Sequence, residues 1–216
     1  MTTKIGIVSD IHSAVTPLKQ AFEIFDKENV SLIICAGDIA GYGEDELSEV
    51  IALLQSRQCL LVTGNHDEFT AESFPVKTTD EYYSDEISQF FSQLPVAISL
   101  EIEAKKLFIV HAQPPDQQHG GIKLLDQQGD VLAEQVSDWE QKLAEFDFDV
   151  LIVGHTHQVF SQQLNQTLVL NPGSTLFNHS CMVLSLPQMQ TKCFALGGHE
   201  IIPSWNWGQF FQKPFQ

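Results

Sequence analysis

Positive charge is what the 216-residue chain has least of: lysine and arginine number 11 against 28 aspartates and glutamates, a formal charge of −17. A phosphate polymer needs a basic stripe that releases counterions, and no cluster of Lys and Arg supplies one, which argues against a long nucleic-acid partner. A small anionic substrate stays compatible with this charge where bound cations reverse the field locally. Long apolar runs are also missing. None reaches about 18 residues, and the opening MTTKIGIVSD has no basic segment leading into one, so the expectation is a cytoplasmic protein with no membrane partner. Cysteine is sparse, and Cys35, Cys59, Cys181 and Cys193 form no CxxC pair. Each falls in an apolar, strand-like run, which predicts buried free thiols rather than disulfides or a zinc knuckle. No GxxxxGK[ST] occurs, so nucleotide binding of the P-loop type is unsupported. No repeat, low-complexity tract or Pro/Gly/Ser linker divides the chain, and the expectation is one domain over residues 1–216 with an aromatic tail at 204–216.

What is present is enough apolar material for a core, 43% of residues against 18% charged. The first half alternates short β-rich runs with amphipathic segments. Lys4 to Val8 precedes a helix carrying Leu18, Phe22 and Phe25; Ser31 to Cys35 precedes a helix from about Glu44 to Ser56; Cys59 to Val62 leads to a polar loop over 69–84 and a helix near Asp85 to Leu94. This order builds parallel sheet. The second half predicts strands near Val96 to Ile102, Lys106 to Val110, Val150 to Val153, Val159 to Gln163, Leu168 to Leu170 and Met182 to Leu186. A loop at 112–130 and one helix near Val131 to Phe146 interrupt them. The expected fold class is α/β, with a second sheet packed on the first and helices outside.

Five apolar runs each stop at ligand-type side chains: IGIVSDIH, LIICAGDIAG, LLVTGNHDE, LFIVHA and VLIVGHTH. Ligands of open α/β sheets gather beyond the carboxyl ends of strands, so Asp10, His12, Asp38, Asn65, His66, His111, His155 and His157 are expected to converge. Asp10 and His12, two apart on an extended exit from a strand, would face the same side and chelate one ion, and His155 with His157 repeats the spacing. A mixed O and N set without thiolate suits Mn²⁺, Fe, Zn²⁺ or Ni²⁺. Seven ligand side chains are too many for one tetrahedral ion and suit two, with Asp38 as the bridging carboxylate.

The succession D-x-H, G-D, G-N-H-D, an isolated His and G-H-x-H resembles the calcineurin-like metallophosphoesterase superfamily, over roughly residues 4–186. GDIAGYG and NPGST resemble its small bacterial and archaeal phosphodiesterase branch, whose eukaryotic relative is a retromer scaffold subunit. The resemblance implies a four-layer α/β/β/α fold and a phosphoesterase with two divalent ions, Mn²⁺ first among them, acting on small phosphate esters through a metal-bridging hydroxide. It implies that Asp10, His12, Asp38 and His157 hold one ion and Asp38, Asn65, His111 and His155 the other. His66 is then left to protonate the leaving oxygen. Asp67 either orients His66 or is an ordinary N-cap or surface acid.

Some members of this branch carry cysteine where His66 stands, and the histidine favours a competent acid. Many continue after NPGS into a Pro-Arg pair, whereas this chain reads TLFNHS from Thr175, so any contact borne by that arginine is in question. Gly37, Gly64 and Gly154 precede ligands and serve tight turns near the ions or merely at strand ends. His119 lines the pocket or is a solvated loop residue. Asn171 and Ser174 shape a turn. Trp205, Trp207, Phe210, Phe211 and Phe215 pack on the domain or form a subunit interface. Two other functions stand against the esterase: an interaction scaffold of the same fold, motivated by the aromatic tail, and a nuclease, disfavoured by charge.

Overall fold

Period-two alternation of apolar residues divides every central strand between two neighbours. In the computed structural model, which describes residues 2–41, 46–72 and 85–205, strand β1 (Thr3–Val8) points Ile5 and Ile7 one way and Gly6 and Val8 the other. It pairs in parallel with β2 (Leu32–Cys35), which pairs in parallel with β3 (Leu60–Leu61). The second sheet holds the hairpin β4 (Ala97–Ile102) and β5 (Lys105–Val110), then β6 (Val150–Ile152) and β8 (Thr167–Pro172) in parallel, and β7 (Val159–Leu164) at the edge, in the order β4-β5-β6-β8-β7.

The two sheets face each other across Ile5, Ile7, Ile34, Leu107, Ile109, Val150, Ile152 and Leu170, all buried. The outer face of the first sheet carries α1 (Val15–Glu28) and α2 (Leu47–Ser56) through Leu18, Phe22, Phe25, Val50 and Leu54. Gly6 makes room for this layer, since a Cβ there would lie 2.8 Å from the Phe25 ring. The outer face of the second sheet carries α5 (Ala133–Leu143) through Trp139 and Leu143. Strands buried on both faces read as nearly continuous apolar runs, which is why they stand out in the sequence. The result is the expected α/β/β/α layering.

Three expectations change. The β-rich second half does not form the second sheet alone: β9 (Ser180–Leu186) returns to lie antiparallel beside β1, and the unexpected β10 (Gln190–Ala195) extends that edge, giving β10-β9-β1-β2-β3. QTKCFA hides as an edge strand because only part of it is covered. The loop expected at 69–84 is helical at its start, because α3 (Asn65–Glu72), masked by its polar composition, runs into it; residues 73–84 lie outside the described residues, and α4 (Asp85–Ser92) follows. All four cysteines are free, but only Cys35 and Cys181 are buried, Cys59 and Cys193 half-buried. Residues 206–216, most of the aromatic tail, lie outside the described residues. Among those described, no helix is long and apolar enough to cross a membrane.

Leu184, 0% exposed between the sheets, sets a test of this layering. Leu184→Ala should lose about 2–5 kcal/mol and lower Tm by about 2–4 °C for each of these, whereas Val131→Ala, at a position 53% exposed, should stay within about 0.5 kcal/mol. Equal denaturation midpoints for the two variants would contradict it.

Candidate metal centre

The loops leaving β1 and β2 continue side by side past the end of the sheet. Asp10 N–H donates to Gly37 O (3.0 Å), His12 N–H to Asp38 O (3.1 Å) and Ser13 N–H to Ile39 O (2.8 Å). This backbone zipper fixes Asp10 and His12 against Asp38. The exit is not the extended one expected from the D-x-H spacing: Asp10 (φ 51°) and His12 (φ 49°) are left-handed, as are Asp38 (51°), His155 (65°) and His157 (48°). Both side chains of each pair still reach the site, because the turn carries the intervening Ile11 into the core, where it is 0% exposed. Left-handed backbone at non-glycine residues costs on the order of 1–3 kcal/mol each and persists where the surroundings over-determine it.

Two glycines allow this crowding. A Cβ on Gly64 would meet Asp38 Oδ1 at 2.2 Å, and one on Gly154 would meet Ser9 Oγ at 1.9 Å and Asp10 Oδ2 at 2.7 Å. With Gly154 bare, the following amide reaches the carboxylate, and His155 N–H donates to Asp10 Oδ2 (3.1 Å). Across the site, α3 begins at Asn65 and its first turn presents His66 N–H to Asp38 Oδ1 (3.0 Å). A helix N-terminus favours an anion there. The acidic residues Asp67 and Glu68 in that turn were a legible sign of a helix start.

All eight expected residues lie around one space. Asp10, His12 and His157 bring ligand atoms within 4.8 Å of one another, as do Asp38, His111 and His155, and His12, Asp38 and His66. His157 Nε2 is 3.2 Å from Asp10 Oδ1 and 3.2 Å from His12 Nε2. His111 Nε2 lies 3.3 Å from Asp38 Oδ1 and 3.2 Å from Asn65 Oδ1, and His155 Nδ1 is 2.9 Å from that same amide oxygen. Two rings are oriented by carbonyls: His111 Nδ1 is 2.7 Å from Ala36 O and His12 Nδ1 3.3 Å from Ala40 O. A proton held there leaves each Nε2 facing the cluster, as a metal-binding imidazole requires.

Burial alone would raise the carboxyl of Asp10, but the charge and hydrogen bond of His157, with His111 and His12, outweigh it and hold Asp10 below the usual range. Asp38 is likewise lowered, His111 overcoming its burial. Burial works against a charged His111, yet Asp38 carries it up to about 10. Burial takes His12 and His155 down to about 4, leaving both neutral. The donor set therefore fits divalent cations: two buried, ionised carboxylates, a half-buried amide oxygen and imidazoles, where a bound cation would displace the proton of His111.

Asp67, expected beside His66 as an orienting carboxylate or as a cap or surface acid, is 0% exposed. Its oxygens accept Ala40 N–H (2.8 Å) and Gly64 N–H (2.9 Å), tying the β2 and β3 loops together. Burial, then the nearby Asp38, pushes its carboxyl up to about 8. His119 is exposed, its ring 6.3 Å from that of His155. His179 and His199 stack on each other at 4.5 Å. Ser174 O–H donates to Asp10 O (2.6 Å), and Asn171 Nδ2 donates to Gly154 O (2.9 Å), so both support ligand loops as expected. Sequence reasoning missed Asn178, whose Nδ2 holds His157 O (2.9 Å), and Phe177, 5.3 Å from the His157 ring. Their segment had signalled only a departure, TLFNHS.

Comparison with known proteins agrees with this geometry. Residues 3–186 match the family model of the calcineurin-like phosphoesterase superfamily domain. A protein named phosphodiesterase from Methanocaldococcus jannaschii is 28% identical over 79% of this chain and 82% of its own. Among solved structures, a novel archaeal phosphodiesterase aligns with TM-score 0.58 at 24% identity, over 90% of this chain and all of its own. A metallophosphoesterase from Sphaerobacter thermophilus aligns with TM-score 0.66 at 18% identity, over 90% and 87%.

The raised pKa of Asp67 has a stability consequence with a definite sign. In metal-free protein the folded state retains a proton that the unfolded chain releases near 3.8. Stability from this group is thus complete below that pH and declines up through about 8. Asp67→Asn should flatten the fall of the denaturation midpoint across this window relative to wild type, and parallel profiles would refute the assignment.

Proposed function

From its membership of the calcineurin-like phosphoesterase superfamily, which makes the chain a metal-dependent phosphoesterase, we propose that it is a dinuclear enzyme hydrolysing small phosphodiesters or phosphomonoesters. The observation that carries this reading is the clustering of ligand atoms about Asp38, which stands in a group with His111 and His155 and in another with His12. Asp10, His12, Asp38 and His157 would hold one ion, and Asp38, Asn65, His111 and His155 the other, with Mn²⁺ the first choice and Fe, Zn²⁺ or Ni²⁺ compatible with the donors. Bound there, the ions would supply positive charge to the phosphoryl oxygens and acidify water at neutral pH.

The chain's own groups do the rest. Asp38 joins the two halves and receives His66 N–H, which places the His66 ring beside it, 5.0 Å from the ring of His12. As water oxygen bonds to phosphorus its proton passes to solvent, the P–O bond to the leaving arm breaks, and His66 delivers a proton to the departing oxygen and is reprotonated from solvent. Asp67 is a positioning residue in this scheme: by holding Gly64 N–H it sets the turn from which Asn65 and His66 project. The chain's only arginine, Arg57, is ion-paired with Asp26 on the α1 and α2 side of the fold, so phosphate charge falls to the ions and not to a guanidinium. The same scarcity of cations supports a small ester over a long nucleic acid, and free cysteines fit a reducing, cytoplasmic setting. We read the 216 residues as one domain serving this one centre.

His66→Ala should lower metal-saturated turnover of an activated diester by about 10²–10⁴, while elemental analysis still finds two ions per chain. Asp38→Asn should lose both turnover and metal. Unchanged turnover in either variant would refute the mechanism, and loss of an ion in His66→Ala would make His66 a ligand instead of an acid.

A further inference from the structure

Among the described residues, Phe69 is the most exposed large apolar side chain, at 72%, and it joins none of the three apolar clusters of the core. A single exposed ring needs no explanation by itself. Its place does. Phe69 lies on α3, in the connection that leaves β3, one turn beyond the two residues of that helix that belong to the candidate site. Residues three and four apart share a helix face, so Phe69 shares a face with His66 at i−3 and Asn65 at i−4. Long side chains of a helix lean toward its N-terminus, and the N-terminus of α3 is the end that meets the site: Asn65 Oδ1 is 2.9 Å from His155 Nδ1, and His66 N–H donates to Asp38 Oδ1 (3.0 Å). The inner face of α3 is committed to structure. The buried Asp67 carboxyl holds Ala40 N–H and Gly64 N–H, the buried Thr70 O–H donates to His66 O (2.8 Å), and Ala71 packs against the core.

Exposure therefore rises in steps from the buried His12 and Asp38 through the half-buried His66 to Phe69. An ester seated with phosphorus at the ligand cluster and its leaving oxygen at His66 would run outward in that order. The charge on this path has one sign: α3, NHDEFTAE, has no lysine or arginine, and Glu68 precedes Phe69. We propose that Phe69 is a specificity-determining residue for the leaving arm, its ring receiving an uncharged apolar body attached to the oxygen that His66 protonates. The inference rests on the phosphoesterase reading, with His66 as the acid, and deepens it. Apolar contact is non-directional and grows with the area removed from water, so an aliphatic arm serves as well as an aromatic one and a larger arm better than a smaller one. An arm carrying a further negative charge finds no counterion on α3 and is disfavoured.

Methyl phosphodiesters of p-nitrophenol whose leaving ring carries no substituent, a methyl or a butyl group meta to its oxygen keep the acidity of the leaving group nearly constant while its apolar body grows. On full-length protein saturated with Mn²⁺, kcat/KM should rise about tenfold from the bare to the butyl ester, and a carboxymethyl group in the same position should lower it below the bare ester. Phe69→Ala should remove most of the butyl-to-bare ratio, and Phe69→Leu, still apolar, should keep most of it. Alanine at an exposed helical position favours the helix, so the variant folds. A second series holds p-nitrophenol as the leaving group and exchanges methyl for butyl on the retained arm; its ratio should be the same in wild type and Phe69→Ala, which separates a contact with one arm from a general disturbance of the centre. A wild type indifferent to the leaving arm, a butyl-to-bare ratio unchanged in Phe69→Ala, or an equal change in both series would overturn the proposal while leaving the esterase reading intact. Absent turnover of every ester would reject that reading and this inference with it.

Discussion

Two carboxylates buried at the ends of neighbouring parallel strands, Asp10 at 0% and Asp38 at 2% exposure, are the constraint to which the rest of the molecule answers. An ionised carboxylate taken out of water costs several kcal/mol unless it is paired and hydrogen-bonded. Among the described residues, the partners found within this space are imidazoles and backbone N–H groups, not ammonium or guanidinium groups. His157 and His111 stand against the two carboxylates, and the amides of His155 and His66 donate to them. Imidazoles answer the charge only in part, because burial drives His12 and His155 toward neutrality even as Asp38 drives His111 toward protonation. Divalent cations held there would complete the balance and would give a protein of charge −17 a local field that attracts phosphate.

That constraint explains the backbone. Amides reach Asp10 and Asp38 only if the loops pass within hydrogen-bond distance, which the bare Cα atoms of Gly154 and Gly64 permit. Bringing alternate residues to one point from a chain leaving a sheet requires a sharp turn, and the left-handed conformations of Asp10, His12, Asp38, His155 and His157 provide it. The strain is borne by the layers beneath, where Ile5, Ile7, Ile34, Ile109 and Ile152 fix the strands from which these loops spring. Asp67, Asn171, Ser174 and Asn178 then tie the loops to one another, so side-chain to backbone hydrogen bonds brace the centre alongside the backbone zipper.

Much of this was legible in the sequence, and unevenly so. Central strands could be read because burial on both faces writes them as apolar runs, and the site because five such runs end in ligand-type residues. The helix at Asn65–Glu72 was hidden, since its reason for existing is to aim Asn65 and the His66 amide inward and not to bury an apolar stripe. The edge strand Gln190–Ala195 was hidden because an edge needs little apolar content, and the return of Ser180–Leu186 to the first sheet because pairing partners at long range leave no local trace. Spacing predicted that Asp10 and His12 share a target but not how: an extended chain and a left-handed turn both bring i and i+2 together, and only the zipper to Gly37 and Asp38 distinguishes them.

The division between legible and hidden residues follows a division of labour. The clustered ligand-type residues lie at strand ends, where topology announces them, whereas Phe177 and Trp205 arrive from late, irregular segments that fold back over His157. A phosphoryl group is common to all phosphate esters, so a strand-end cluster of this kind suits the chemistry of the family without choosing a substrate. Discrimination must come from groups touching what is attached to phosphorus, and such groups sit on loops whose sequences the fold does not dictate. After NPGS this chain reads TLFNHS, and within that segment Phe177 stacks on Trp205 while Asn178 holds His157 and Ile202 by their carbonyls. Such a segment can vary without moving the strand ends, because Phe177 and Trp205 border His157 from outside the sheets while the ligand-type residues are fixed by the strands themselves.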